Sequence, residues 1–236
     1  MEFLDFRWDI IWNYRESFIR GIWVTLILTI CGFIGGFILG VLLGLGKNSK
    51  KKWLYFPCKL YIDLFRGTPL LVQIFIIHLA LIPTLFGHSL GFMVSGITAL
   101  VLNCAAYTAE IIRAGIQSID KGQMEAARSL GLNQFQAMRK VILPQAFRRM
   151  IPPLGNEFIT LLKDSSLVTV IAANDILYAA KVVSGAYFRF WEPYLAAAAL
   201  YLTLTFIVSK VVSLIERRFS IEYNPRKNKN EGRVGA

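Results

Sequence analysis

From Gly21 to Leu45 the chain carries no Asp, Glu, Lys or Arg. An uninterrupted apolar run of this length exceeds the ~20 residues that an α-helix needs to cross a bilayer core. In hydrocarbon only a helix or a closed barrel satisfies every backbone N–H and C=O. The run therefore predicts a membrane-spanning helix and excludes an ordinary soluble fold. Four of its six glycines, Gly32, Gly36, Gly40 and Gly44, recur every fourth residue on one helical face. Four small residues in register predict close approach of a second helix, rather than mere thinning of a lipid-facing surface. The whole composition agrees: 55% of the residues are hydrophobic and 17% charged, against about 25% charged in soluble domains.

The formal net charge of +11 raises the possibility of a nucleic-acid partner. The lysines and arginines instead sit in short runs beside apolar segments, which is the signature of membrane topology. Lys47, Lys50, Lys51 and Lys52 follow the first span and place its end in the cytoplasm, with the N-terminus outside. A second apolar run, about Leu54 to Phe86, is broken at Arg66-Gly67-Thr68-Pro69 and is expected to lie partly within protein. Further spans are expected at about Phe92–Gly115, Ile151–Ala172 and Tyr194–Ile215, giving an all-α integral membrane protein of five transmembrane helices with the C-terminus cytoplasmic. Residues 1–19, which mix Phe, Trp and Ile with Asp and Arg, are expected to lie in the membrane interface, and no cleaved signal peptide is expected. Residues 20–220 form the transmembrane domain, and 221–236 read as a disordered basic tail. Tyr187, Phe190, Trp191 and Tyr194 supply an outer aromatic belt.

Several chemistries are excluded. Cys31, Cys58 and Cys104 show no metal or disulfide spacing. The stretch GLGKNS at Gly44 to Ser49 fails as a phosphate-binding loop, because Val41 stands where the motif needs Gly and Asn48 where it needs Ser or Thr. His78 and His88 stand alone, and no Ser/His/Asp arrangement can be assembled. The informative polar residues lie inside spans, where each ionisable group costs about 2.5–3.5 kcal/mol at a helix centre. Glu157, Thr160 and Asp164 share one face of the fourth span, with Lys163 about a third of a turn away. Asn103, Tyr107 and Glu110 share a face of the third, and Arg113 follows Glu110 by three. Lys163 with Asp164 and Glu110 with Arg113 read either as structural or gating ion pairs or as marks of a solute pathway.

The segment 117–149 is charged and soluble in character, although it joins two spans. Within it EAARSLGLNQFQAMRKVILPQ, Glu125 to Gln145, reads as two short helices around a turn at Gly131, the second ended by Pro144. Such a pair offers a ridge for a partner's groove. The residues Glu125-Ala126-Ala127, then Gly131, then Val141-Ile142-Leu143-Pro144, closely resemble the EAA motif with which ABC importer permeases dock onto their nucleotide-binding subunits. Val141 departs mildly, since the pattern has isoleucine there. RGTPLLVQ at Arg66–Gln73, AYTAEIIRAGI at Ala106–Ile116 and LLKDSSLVTVI at Leu161–Ile171 are similar to signatures of the polar amino acid branch, and the resemblance spans about Gly21 to Ser220.

The resemblance implies a type I ABC importer permease-like fold in the cytoplasmic (inner) membrane. It implies coupling through Glu125, Ala126, Ala127 and Gly131, a second permease subunit, identical or paralogous, two separate ATPase subunits that bind ATP and Mg, and an extracytoplasmic amino-acid-binding protein. The chain itself is expected to be no enzyme and to hold no cofactor. A solute pocket near the midplane is expected between the third and fourth spans, where Asn103, Tyr107, Glu157, Thr160 and Asp164 can converge. There Lys163 and an acidic residue would pair the α-carboxylate and α-ammonium of an amino acid, and the surplus carboxylate favours a basic side chain. Glutamine, glutamate or another polar amino acid is the alternative within the same class. A non-ATP-driven channel or scaffold subunit is the alternative outside it.

Overall fold

A computed structural model describes residues 6–49 and 51–219. The proposed tail 221–236 and residues Met1–Asp5 of the N-terminal segment lie outside the described residues. The described chain opens with a short helix, α1 (Trp8–Asn13), set off at Tyr14 from the long α2 (Arg15–Lys47). Ile10 is buried against Phe18, Ile176 and Ala197, while Trp8 and Trp12 stay exposed, as an interfacial helix requires.

Next come α3 (Lys52–Gly67) and α4 (Leu70–Phe75), which continues through a π-helical stretch Ile76–Leu81 into α5 (Ile82–Phe86). The helices α6 (Gly91–Gln117), α7 (Lys121–Ser129) and α8 (Gln134–Ala137) follow. A second π-helical stretch, Met138–Ile142, leads into α9 (Leu143–Asp164), which tightens into a 3₁₀ segment, Ser165–Ile171. The described chain closes with α10 (Ile176–Tyr187) and α11 (Trp191–Phe219). Among the described residues, α2, α6 and α11 are each long and apolar enough to cross a membrane; counting each of two bent pairs as one span gives five.

The glycine ladder does what its spacing predicts. Gly32, Gly36, Gly40 and Gly44 are buried, and their face packs on α6. A Cβ built on Gly36 would lie 2.6 Å from the Cβ of Cys104, and one on Gly40 2.6 Å from the Cβ of Thr108. On Gly32 it would lie 3.0 Å from the Cβ of Leu100. Residue numbers rise together along both helices, so α2 and α6 run parallel, as a first and a third span must.

The second apolar run breaks where RGTP falls, with α3 and the α4–α5 segment meeting at 108°. Pro69 lacks an N–H and holds Thr68 extended at φ −120°, ψ 146°. The carbonyls left free by the break find a substitute donor in the buried Gln73. Its Nε2 donates to Phe65 O at 2.8 Å, to Thr68 O at 3.1 Å and to Thr68 Oγ1 at 2.9 Å. Its Oε1 in turn accepts from Asn103 Nδ2 of α6 at 2.9 Å. A non-helical break at membrane depth is tolerable only when satisfied inside protein in this way.

One expectation is corrected and one element is added. Pro144 does not end the second loop helix: the chain passes through it into α9, with Pro144 in the first turn of that helix. The wider π-helical stretch just before it accommodates a residue with no N–H to give. The segment between the fourth and fifth spans is also more than a connection, because it contains α10. Ala172 turns the chain with φ 62°, and Asp175 caps α10 by accepting from Tyr178 N–H at 2.9 Å. That buried carboxylate also accepts from Thr169 and from Tyr201 Oη of α11 at 2.9 Å, while Gly21 of α2 packs on its backbone. One residue thus joins four elements.

Candidate functional site

The polar faces of α6 and α9 pack together around the foot of the broken second run. Glu157, half-buried on α9, faces the thiol of Cys104 and lies within electrostatic reach of Asp164 and of Arg66 at the end of α3. The Arg66 guanidinium sits 5.5 Å over the ring of Tyr107, which is 37% exposed. Thr160 is exposed on the same helix and Asp164 is half-buried at its end. Glu157, Thr160 and Asp164 thus recur on one face of α9, and Arg66 links that face to Tyr107 of α6, stacking on the ring and lying within electrostatic reach of Glu157.

Asn103 does not join them. It is 6% exposed, and its amide nitrogen is committed to Gln73, so the residue steadies the helix break instead of facing a cavity. Nor do Lys163 and Asp164 form an ion pair: among the described residues no bridge within 4.0 Å joins them, and Lys163 is exposed. Consecutive residues on a helix point about 100° apart, which directs the two side chains to different faces.

Glu110 and Arg113 do pair, and the pair is larger than expected. Arg113 donates through Nε and NH2, Lys47 Nζ from the end of α2 lies 3.2 Å away, and Arg66 NH1 lies at 3.9 Å. One carboxylate collects three cations from three helices. Beside it opens a cleft of about 400 Å³ lined by Arg66, Tyr107, Glu110, Ser118, Arg149 and Pro153.

Arg66, Gln73 and Lys47 were not singled out as site residues from sequence. The first two stand in RGTPLLVQ, so the signal was present as a motif. Lys47 stood in a basic run that topology already explained.

The loop region is a rigid platform. The α7 helix ends in a Schellman turn, in which Leu132 N–H donates to Ala127 O at 3.2 Å and Gly131 N–H to Arg128 O at 3.0 Å. Gly131 takes φ 84°, the left-handed conformation this turn demands. A capping box restarts the helix at once: Gln136 N–H donates to Asn133 Oδ1 at 2.9 Å, and Asn133 N–H to Gln136 Oε1 at 3.0 Å.

Beneath the platform Ile119, Ile142 and Ala146 pack with Ile112 and Met150. Met124 of α7 packs against this core, and Ala127 of the same helix is buried at 4% exposure. Glu125 and Ala126 face outward, beside Leu130 and Phe135 at 84% and 72% exposed. Two large apolar side chains are thus held outward on either side of the Gly131 turn.

Comparison with known proteins places this architecture. Residues 32–221 match the family model described as "Binding-protein-dependent transport system inner membrane component". The probable amino-acid ABC transporter permease protein YckA of Bacillus subtilis (strain 168) is 37% identical over 225 residues, covering 91% of this chain and 96% of that one. The arginine transport system permease protein ArtQ of the same organism is 39% identical, covering 85% and 91%. The putative glutamine transport system permease protein GlnP of Rickettsia bellii (strain RML369-C) is 36% identical, covering 86% and 93%.

A crystal structure of an amino acid ABC transporter with histidines contains a chain 42% identical, with a TM-score of 0.85, covering 91% of this chain and 100% of that one. The MetNI methionine ABC transporter in an inward facing conformation shares the fold at 21% identity and a TM-score of 0.73. By family model, by relatives and by fold, this chain belongs to the family of inner membrane components of binding-protein-dependent transport systems.

Proposed function

We propose that this chain is the permease subunit of an ATP-driven ABC importer for polar amino acids, with basic ones preferred. The observation that carries the reading is the polar face of α9, with Glu157, Thr160 and Asp164, where Glu157 lies within electrostatic reach of the Arg66 guanidinium that stacks on Tyr107 of α6. Among the described residues, Glu157 and Asp164 supply two carboxylates against the one cation, Arg66, within reach of Glu157, which suits a ligand that brings a positive side chain beside its own α-carboxylate. Relatives named for arginine and the solved transporter with histidines support the preference.

Asn156, Thr160 and Lys163 are exposed along α9, and such groups inside a span belong against protein or a wet cavity, not lipid. A second permease subunit, identical or paralogous, covers that side. Leu130, Phe135, Glu125 and Ala126 dock separate ATPase subunits, which bind ATP and Mg, and an extracytoplasmic binding protein delivers the solute. The basic clusters at Lys47–Lys52, Arg139–Lys140 and Arg217–Arg218 put those ends in the cytoplasm and the N-terminus outside. ATP binding closes the partner subunits, the platform moves with them as a rigid body, and the permease pair shifts between inward-facing and outward-facing populations.

The test is uptake by proteoliposomes containing the whole transporter. Arginine, lysine and histidine are expected to enter with ATP and to outcompete glutamine and glutamate. Glutamine or glutamate uptake exceeding all three would overturn the preference, and passive flux without nucleotide would overturn the importer reading itself.

A further inference from the structure

The amino acid reading leaves the partner of the solute's α-carboxylate open, because Lys163 is absent from the cleft beside Tyr107. The cation that is present there is Arg66. It stands at the last turn of α3, beside the 108° break, 3.9 Å from Glu110 of α6 and within electrostatic reach of Glu157 of α9. Its position is fixed from behind by the Gln73 amide, which bonds Phe65 O and Thr68 O on either side of it.

Glu110 does not consume this charge. Arg113 engages both its oxygens and Lys47 stands at 3.2 Å, whereas Arg66 is the loosest of the three at 3.9 Å. The Arg66 side chain remains 40% exposed in the cleft, with its guanidinium stacked on Tyr107. A planar guanidinium with donors to spare, backed by an aromatic ring and open on one side, is the arrangement that accepts a carboxylate in two parallel hydrogen bonds.

Resting on the amino acid reading, we propose that Arg66 is a specificity-determining residue of the permease: it holds the α-carboxylate of the solute over Tyr107, while Glu157 holds a positive group of the same solute. The two side chains come from different helices, so a ligand bridging them closes the space between the broken second run and α9. Molecules lacking either charge lack one anchor, which selects zwitterions over simple amines.

The experiment compares each amino acid with its decarboxylated counterpart, namely arginine with agmatine, histidine with histamine and lysine with cadaverine. Equilibrium binding is measured on the purified permease–ATPase complex without the binding protein. The parent is expected to prefer the amino acid. Arg66→Gln is expected to weaken amino acid binding about tenfold to hundredfold, the worth of a charge-assisted pair of hydrogen bonds, while leaving the amines unchanged.

Arg66→Lys, which keeps the charge and the fold but not the fork, is expected to recover part of the preference. If both variants weaken amino acid and amine equally, or neither, Arg66 does not bind the carboxylate, although the amino acid reading stands. A parent that binds none of the three amino acids overturns the basic amino acid reading, and this assignment with it.

Discussion

At the scale of single residues, side chains of the same type are used for opposite purposes, and the surroundings decide which. Gly36 and Gly40 are required for contact, since any Cβ there would strike α6. Gly185, with nothing within 4 Å of its virtual Cβ, is not. Gly36→Ala or Gly40→Ala is therefore expected to cost about 1–3 kcal/mol, the range for overpacking. Gly185→Ala is expected to be neutral or to stabilise by up to about 1 kcal/mol through helix propensity. Thermal unfolding in detergent checks the contrast. Glu157 and Glu110 differ in the same way. Glu110 is neutralised by three cations, so Glu110→Gln is expected to lower stability by about 2–3 kcal/mol through lost charged hydrogen bonds. Glu157 has no such cage, and Glu157→Ala is expected to leave the melting temperature nearly unchanged while basic amino acid uptake falls. Truncating a carboxylate that pairs a charged ligand costs about 2–5 kcal/mol of binding. Equal loss of both properties in Glu157→Ala would argue for a structural carboxylate instead.

At the scale of elements, the irregular pieces are where the fold concentrates its specificity. The broken second run is held by one glutamine that serves two carbonyls, one hydroxyl and one asparagine. Replacing it by leucine strands those groups in a buried place, and each unsatisfied group costs about 1–3 kcal/mol. Because Asn103 is part of the same network, Gln73→Leu combined with Asn103→Leu is expected to cost less than the sum of the two, and a double-mutant cycle read by unfolding measures the difference. The loop platform rests on the Schellman turn and the capping box. Asn133→Ala is expected to lose about 0.5–2 kcal/mol of local stability, seen as faster amide exchange confined to α8 and the following turn.

At the scale of the whole molecule, a stiff path runs from the platform to the polar cleft. The α7–α8 region packs on Ile142, Ala146 and Met150, Met150 presses on Gly115 of α6, and α6 carries Glu110 and Tyr107. A continuous run of packed side chains thus joins the platform to the helix that lines the cleft. Glu125→Lys and Gly131→Arg are expected to leave the permease in the membrane but to release the ATPase and abolish ATP-driven uptake. The second also forces a bulky side chain into a φ of 84° that favours glycine. Undiminished co-purification of the ATPase with both variants would remove the docking role.

What the sequence determined by itself is what depends on near neighbours. The length of the apolar runs defined the spans, the four-residue spacing of glycines defined the packing face of α2, and Ser-Leu-Gly-Leu-Asn-Gln defined the turn between α7 and α8. Each is decided by backbone hydrogen bonding or helical periodicity over a few residues. The α10 helix was hidden because its twelve residues, Ile176–Tyr187, are too few to span. Only the tertiary structure decided which polar groups meet. Asn103 turned to Gln73, Lys163 formed no ion pair with Asp164 among the described residues, and Arg66 came within 3.9 Å of Glu110 and within electrostatic reach of Glu157, beside the 108° bend at Thr68-Pro69. A bend angle is set by how a break packs against its neighbours, and distances between charges on different helices follow from it, so no spacing along the chain contains them.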